Sequence, residues 1–280
     1  MLLPMAWSRV PVGEVDLEVD VLGTGEPVLW IQTALLADEL VPCARIVTAT
    51  GRYASVLQHR RGYAGSDAAT SPGSVGRDAL DALGVLDACA RPRAHVVGLS
   101  YAAAVALRLG ADHPDRVATL TLIEPPPVHV PAGPDFRAAN ADLLERSLAD
   151  GPAAALEHFL TLVSGPGWAA AYEHLLPGAV AQARRDARTF FEVDVPALLT
   201  WRMDDAAVAR VTAPVLSVSG TASGPWFAQV RDWVRGILPH ADEHLVQGAG
   251  HDLALTHAAD VAGAVTTFLD AHPIGGGEAP

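Results

Sequence analysis

Val96-Val97-Gly98-Leu99-Ser100-Tyr101-Ala102-Ala103 is an apolar run that ends in a serine between two small residues and passes into an alanine-rich stretch of helical character. It reads as a strand joined to a helix through a turn so tight that the serine backbone is strained and its hydroxyl stands clear of both elements. Such a turn demands small residues two positions to either side. Gly98 and Ala102 supply them, giving a G-x-S-x-A pattern in place of the commoner G-x-S-x-G. Small-x-Ser-x-small recurs by chance in any chain rich in Ala and Gly, so its weight depends on what the rest of the sequence places around it.

Outward from this turn, short β-branched runs alternate with helical patterns, which predicts an α/β fold with a mostly parallel sheet covered by helices on both faces. The expected strands are Val28 to Ile31, Arg45 to Ala49, His95 to Gly98, Ala118 to Ile123 and Val215 to Ser219. Asp78 to Cys89 and Ala102 to Leu109 carry helical spacing. Glu14 to Leu22 alternates apolar and acidic residues, as a half-exposed antiparallel strand near the sheet edge does. Pro125-Pro126-Pro127 breaks the alternation, and strand signal resumes only at Ala213-Pro214-Val215. Between them four helices are expected, near Phe136 to Ala149, Pro152 to Val163, Gly167 to Leu176 and Val180 to Phe191. The predicted organisation is therefore a core of residues 1–125 and 206–271, interrupted by an all-helical insertion over 126–205. Within the second part a helix near Trp226 to Leu238, a strand near Glu243 to Gln247 and a last helix from Ala258 to Asp270 are expected, and 272–280, with Gly275-Gly276-Gly277, reads as a disordered tail.

Composition narrows the partners. The chain has 280 residues, half of them hydrophobic, enough for one large core. A net charge of −13 argues against nucleic acid, which needs clustered cations. No window holds the ~20 uninterrupted apolar residues of a membrane helix. Met1 to Trp7 lacks the basic flank and long apolar core of a secretory signal, so a cytoplasmic location is expected. Cys43 and Cys89 lack metal-ligand spacing and read as buried free thiols. All 19 basic residues are arginine, a composition bias of no chemical meaning, and no cluster of them marks a phosphate or carboxylate site.

Four segments together resemble the α/β-hydrolase superfamily: the turn at Gly98-Leu99-Ser100-Tyr101-Ala102, Arg60-Arg61-Gly62-Tyr63-Ala64-Gly65-Ser66-Asp67, Asp112-His113-Pro114-Asp115-Arg116-Val117 and Gly248-Ala249-Gly250-His251. The resemblance runs from about Glu14 to Leu269 and implies an eight-stranded-type sheet, a nucleophile after the fifth strand, a lid formed by the helical insertion after the sixth, and a catalytic histidine after the last strand. It implies no cofactor and no metal. The implied partner is a small-molecule substrate, with no nucleic acid and no membrane, and a homodimer is left open.

The chemistry can be assigned residue by residue. A serine hydroxyl needs a base as it attacks, and histidine titrates in the right range. His251, in a glycine-flanked turn after an apolar run and after the serine in chain order, is the candidate base; His113, His158, His174, His240 and His272 read as solvated. The resemblance puts the acid after the seventh strand, but that turn reads Gly220-Thr221-Ala222-Ser223-Gly224 and holds no carboxylate. Part of the superfamily places the acid at the end of the sixth strand, where this chain has Glu124; Asp252 ranks below it, and a dyad with no acid is the remaining alternative. The expected oxyanion donors are the backbone N–H of Tyr101 and of Ala34 or Thr33. The third-strand loop begins with Gln32 where a His-Gly pair is usual. Gln32, Tyr101, Trp168, Tyr172, Trp201 and Trp226 are the candidate substrate-binding residues. The reading that follows is a cofactor-free serine hydrolase acting on an ester, lactone or thioester of a mid-sized apolar molecule; the alternative is a non-hydrolytic protein of the same fold, a lyase, C–C hydrolase, cyclase or ligand receptor.

Overall fold

A computed structural model describes residues 5–69 and 72–275. Its sheet has eight strands, β1 (Ser8–Val12), β2 (Val15–Leu22), β3 (Glu26–Ile31), β4 (Tyr53–Gln58), β5 (Ala94–Leu99), β6 (Val117–Ile123), β7 (Val215–Gly220) and β8 (Asp242–Val246), in the order β1-β2-β4-β3-β5-β6-β7-β8. The β1–β2 and β2–β4 pairs are antiparallel and the remaining pairs, from β4–β3 to β7–β8, are parallel. The expected antiparallel strand over Glu14 to Leu22 is thus present, and it carries a further edge strand, β1, that the sequence reading did not identify. The helices between strands are α1 (Val41–Ala49), α2 (Val75–Ala88) and α3 (Tyr101–Asp112); after β6 come α4 (Gly133–Asp150), α5 (Pro152–Ser164), α6 (Trp168–Leu175), α7 (Ala179–Thr189), α8 (Val195–Thr200) and α9 (Asp205–Val208). α10 (Pro225–Ile237), α11 (Leu253–Thr256) and α12 (Ala258–Ala271) complete the chain.

Strands β3 and β5 show why both faces must be covered. Leu29, Ile31 and Val96 pack into a core with α2, α3 and α10, whereas Val28, Trp30, Val97 and Leu99 pack into a second core with α1 and α12. Alternate side chains therefore go to opposite faces and both are apolar, the pattern of a buried parallel sheet. Each fully buried Leu, Ile or Val in these layers stabilises the fold by roughly 1.5–3 kcal/mol. A third cluster, including Leu156, Leu160, Trp168, Tyr172, Phe190 and Phe191, joins the helical segment between β6 and β7 to Leu35 and Leu36 of the loop after β3 and to Leu255 of α11.

One expectation is overturned. Arg45 to Ala49 is the last part of α1, not a strand. Val41, Cys43, Ala44, Val47 and Thr48 are buried while Ile46 is exposed, a helical rather than an alternating pattern, and Pro42 sits in the first turn where a missing N–H does no harm. The strand is Tyr53–Gln58, after Gly51. It was hidden by Ser55 and Gln58; Ser55 is accommodated in the core because its Oγ accepts from Trp30 Nε1 (3.0 Å) and Thr48 Oγ1 (2.8 Å) and donates to the Ala44 carbonyl (3.2 Å).

The four expected helices of the insertion correspond to α4, α5, α6 and α7, but the last continues through a wider turn, Phe190–Asp194, directly into α8. No helix among the described residues is long and apolar enough to cross a membrane. Of the two cysteines, both free, Cys43 is buried and Cys89 only half-buried, at the end of α2. Of the tail expected to be disordered, 272–275 are described, with Ile274 N–H donating to Glu26 Oε2 (3.0 Å), and residues 276–280 lie outside the described residues.

Candidate active site

In the order β4-β3-β5-β6 successive strands are added to one side of β3 and then to the other, and crevices beyond the carboxyl ends of strands at such a switch point are where open α/β sheets place their ligands. Ser100 sits there. It follows β5 directly and flanks the start of α3 with φ +53° and ψ −118°, a region that non-glycine residues avoid and that costs of the order of 1–3 kcal/mol. The turn is held by Ser100 N–H donating to the Ile123 carbonyl (2.9 Å) and Ala103 N–H donating to the Ser100 carbonyl (2.9 Å). Gly98 is obligatory, because a Cβ there would run into the Ala102 carbonyl and lie 2.8 Å from the Ala103 nitrogen. Gly98→Ala is therefore expected to abolish soluble expression or to lower the melting temperature by several degrees, measured by thermal denaturation.

Glu124 ends β6 in a second positive-φ conformation, +44°. Its N–H donates to the Val218 carbonyl (3.1 Å), and Gly220 N–H donates to its Oε1 (2.8 Å). The carboxylate is thus carried across to the end of β7, the strand whose following turn, Gly220 to Gly224, holds no acid. Its other oxygen, Oε2, lies 2.6 Å from His251 Nδ1, and His251 Nε2 lies 3.0 Å from Ser100 Oγ. With Glu124 ionised the carboxylate only accepts, so Nδ1 carries the proton and Nε2 is free to accept from the serine hydroxyl. Glu124 is fully buried, whereas the His251 side chain is 36 % exposed and stacks on Phe227 at 4.2 Å. Ser100, His251 and Glu124 form one hydrogen-bonded chain with its reactive end toward solvent. Asp252, the lower-ranked acid, stands just before α11 and accepts from Thr256 Oγ1 (3.5 Å).

Tyr101 opens α3, so its backbone N–H is one of those a helix cannot satisfy internally. The loop after β3 faces it. Thr33 is anchored by Oγ1 donating to the Leu99 carbonyl (2.8 Å), and the Leu35 N–H donates to Tyr63 Oη (3.2 Å), with Leu35 at φ +68°. Thr33 and the half-buried Ala34 are thereby set between β5 and the insertion.

This loop rests on a buried charge network that sequence reading missed. Arg60 donates through Nε to the Gln32 carbonyl (2.9 Å) and through Nη2 to the Thr33 carbonyl (3.3 Å), and it pairs with Asp78 (2.9 Å) and Asp194 (2.7 Å). Tyr63 Oη donates to Asp194 (2.6 Å) and Tyr101 Oη to Asp78 (2.7 Å). Burial works against the Arg60 charge, but Asp194 and Asp78 outweigh it and hold the guanidinium protonated. Burial likewise pushes the Asp78 carboxyl up, against the pull of Arg60. The adjacent arginines, Arg60 and Arg61, were the available signal: two consecutive guanidiniums beyond a buried strand require buried acids, and Arg61 pairs with Asp81 (2.6 Å). Removing one partner of a buried network costs about 3–5 kcal/mol, so Asp194→Asn is expected to lower stability by about 3 kcal/mol or more in denaturant melts.

The candidate substrate residues separate. The Tyr101 side chain does not border the space above Ser100, because its ring is buried under Arg60 and its hydroxyl is bound to Asp78. Trp168 and Tyr172 pack edge to face at 5.9 Å in the cluster that joins the insertion to Leu35, Leu36 and Leu255, with Tyr172 Oη bonded to Ser164 Oγ, since four-residue spacing stacks them on one helix face. Trp201 is buried against His129. Gln32 is buried too, its Oε1 accepting from Arg60 N–H (2.7 Å). Trp226 alone of the six is half-buried beside the site: it meets Phe136 edge to face at 5.8 Å and precedes Phe227, the ring stacked on His251.

Glu39, in the same loop system, is buried beside the charge of Asp252, and burial with that charge pushes its carboxyl up to about 8. A raised folded-state pKa contributes stability that is present below the unfolded value and lost as pH rises toward 8. Between pH 5 and pH 9 the melting temperature is expected to fall by several degrees more in the parent than in Glu39→Gln.

The family model for the alpha/beta hydrolase family matches residues 23–264. The chain is 30% identical over 234 residues to the RutD protein of Variovorax paradoxus (strain S110), whose name provisionally assigns it carbamate hydrolysis; the match covers 76% of this chain and 80% of that one. Among solved structures it superposes on a thermophilic esterase from Thermogutta terrifontis with a TM-score of 0.78 at 16% identity, covering 96% of this chain and 100% of the other. It superposes on the enol-lactonase from Burkholderia xenovorans LB400 with a TM-score of 0.73 at 19% identity, covering 94% and 100%. At those identities the structures speak for the fold alone. Sheet order, the strained serine turn after β5 and a sequence match over most of the chain agree, and the protein is a member of the alpha/beta hydrolase family.

Proposed function

We propose that the protein is a cofactor-free serine hydrolase that cleaves an ester, lactone or thioester of a mid-sized apolar molecule through an acyl-enzyme. The observation that carries this reading is the hydrogen-bonded chain from Glu124 through His251 to the strained Ser100. Ser100 Oγ attacks the carbonyl carbon while its proton passes to His251 Nε2. The Glu124 carboxylate holds the Nδ1–H tautomer and stabilises the imidazolium that forms. Negative charge on the former carbonyl oxygen is met by the N–H groups of Tyr101 and of Ala34 or Thr33, each donor being worth about 3 kcal/mol in the transition state. His251 then gives its proton to the leaving group, and water, activated by the same imidazole, releases the acid. The helices between β6 and β7 act as a lid over this site, and the rings of Phe227, Trp226 and Phe136 offer an apolar wall beside His251. The carbamate hydrolysis in the RutD name belongs to the same class of chemistry, attack at an acyl carbon.

Stopped-flow hydrolysis of short- and medium-chain p-nitrophenyl esters and thioesters tests the reading. A stoichiometric burst of p-nitrophenol before the steady state is the expected result wherever deacylation limits the rate. Turnover no faster than buffer across that panel, with a small molecule retained by the pocket, supports the non-hydrolytic alternative.

A further inference from the structure

Three buried nitrogen donors lack an acceptor within the protein at the corner where the segment after β6, the start of α4 and the end of α8 meet: His129 Nδ1, Arg137 Nε and Trp201 Nε1. Trp201 stands edge-on to His129 at 4.6 Å, and Trp233 of α10 stacks on the same imidazole at 5.3 Å. His129 Nε2 accepts the backbone N–H of Met203 (3.0 Å), which places the ring proton on Nδ1. Burial and the charges of Arg137 and Arg202 push His129 down to about 4, so at neutral pH the ring is uncharged and Nδ1 is a donor. Arg137 is itself lowered by burial and by Arg202, with no carboxylate acting to restore it. The Arg137 guanidinium is folded back toward His129: a Cβ on Gly133 would lie 3.2 Å from Arg137 Nη1 and 2.7 Å from the Val128 carbonyl. Arg202 is fixed by Nη1 donating to the carbonyls of Leu199 (3.1 Å) and Trp201 (2.7 Å).

Every unsatisfied atom in this corner is a donor, the charges of Arg137 and Arg202 act on it, and among the described residues no carboxylate offsets them, in a chain whose net charge is −13. A buried donor left without a partner is unfavourable, and a clustered set calls for an acceptor. We propose that His129, Arg137, Trp201 and Arg202 form a binding site for an oxyanion, the carboxylate or phosphate group of a small molecule. Planar guanidinium groups suit such oxygens, and the neutral Nδ1–H and indole N–H add donors of fixed direction. The expectation that no arginine cluster marks an anion site is revised with it: Arg137 and Arg202 are far apart in sequence and meet only in the fold. Phe227 stacks on His251 and Trp233 on His129, and six residues of α10 separate them by about 9 Å. The anion is accordingly either the far end of a substrate held at Ser100 or a separate ligand.

Titrations of the intact protein with succinate and with inorganic phosphate at constant ionic strength, followed by tryptophan fluorescence, test the site. A saturable response is expected, weakened at least ~10-fold in Arg137→Gln and partly restored in Arg137→Lys. Arg137→Gln is expected to melt no lower than the parent in anion-free buffer, because it removes a cation that has only a like charge beside it; loss of binding is then separate from loss of fold. Competitive inhibition of neutral-ester hydrolysis by the same anion assigns it to the substrate's far end, and binding without inhibition assigns a separate ligand. The binding readout does not depend on the role of Ser100. No saturable response to either anion, or unchanged affinity in Arg137→Gln, overturns the proposal.

Discussion

Ser100→Ala is expected to lower kcat for p-nitrophenyl esters at least ~10⁴-fold while leaving the melting temperature unchanged or raised. The size of the effect follows from the role. Without Oγ there is no nucleophile, and what remains is water attack assisted by the oxyanion donors. The sign of the stability effect follows from strain. Ser100 is held at φ +53°, with its hydroxyl committed to His251 rather than to the fold, so alanine loses no structural hydrogen bond. Steady-state kinetics and a thermal melt on the same preparation check both halves. A variant that keeps a tenth of parental turnover removes Ser100 from the chemistry.

Glu124→Gln is the second large effect, a fall in kcat of ~10²–10⁴-fold with KM changed little. A glutamine keeps the size of the side chain and can still accept from Gly220 N–H through its carbonyl oxygen. It cannot stabilise an imidazolium, and with its amide nitrogen toward His251 it favours the wrong tautomer. Because the parent carboxylate is fully buried and bridges β6 to β7, the variant is also expected to be less stable, so the diagnostic quantity is kcat at a temperature well below the transition. An unaltered kcat leaves Ser100 and His251 as a dyad. Asp252 is not a substitute, since its carboxylate faces Thr256.

These expectations rest on residues whose meaning is largely local. Ser100 is announced by the small residues on either side, because the turn must bring the Gly98 and Ala102 backbones together. His251 is announced by its glycine-flanked turn. Glu124 was legible only through the resemblance to a superfamily part of which places the acid at the end of the sixth strand, and the structure adds a physical reason: Gly220 N–H receives the carboxylate where the usual acid would stand. Arg45 to Ala49 was misread because a five-residue apolar run cannot distinguish strand from helix. The Arg60 network showed in the sequence only as adjacent arginines, because its members, from the loop after β4, α2, α3 and the turn after α7, share no spacing and are joined only by the fold. The aromatic residues failed in the same way. Aromatic pairs spaced like Trp168 and Tyr172 are more often helix packing than pocket lining, and they pack in the cluster that joins the insertion to Leu35, Leu36 and Leu255.

The insertion meets the loop after β3 through Gln182, which bonds the Ala37 N–H and the Leu35 carbonyl, and through Asp194. Asp194 lies in the wide turn between α7 and α8, and through Arg60 it reaches the carbonyls of Gln32 and Thr33, the residues that set the direction of the oxyanion loop. Wide turns of this kind interrupt α-helices at functional positions more often than elsewhere. Here the turn lets a buried carboxylate leave the insertion and meet the core. Disturbing it is expected to act on stability first, and on kcat through the loop rather than through Ser100 itself.

Fluorophosphonate labelling followed by peptide mass spectrometry tests the central claim most directly, because the probe reacts only with a serine whose hydroxyl is activated by a neighbouring base. The account predicts a single adduct on the peptide carrying Ser100, formed much more slowly in His251→Ala and absent in Ser100→Ala. No adduct on the intact protein, or equal labelling of Ser100→Ala, would contradict it.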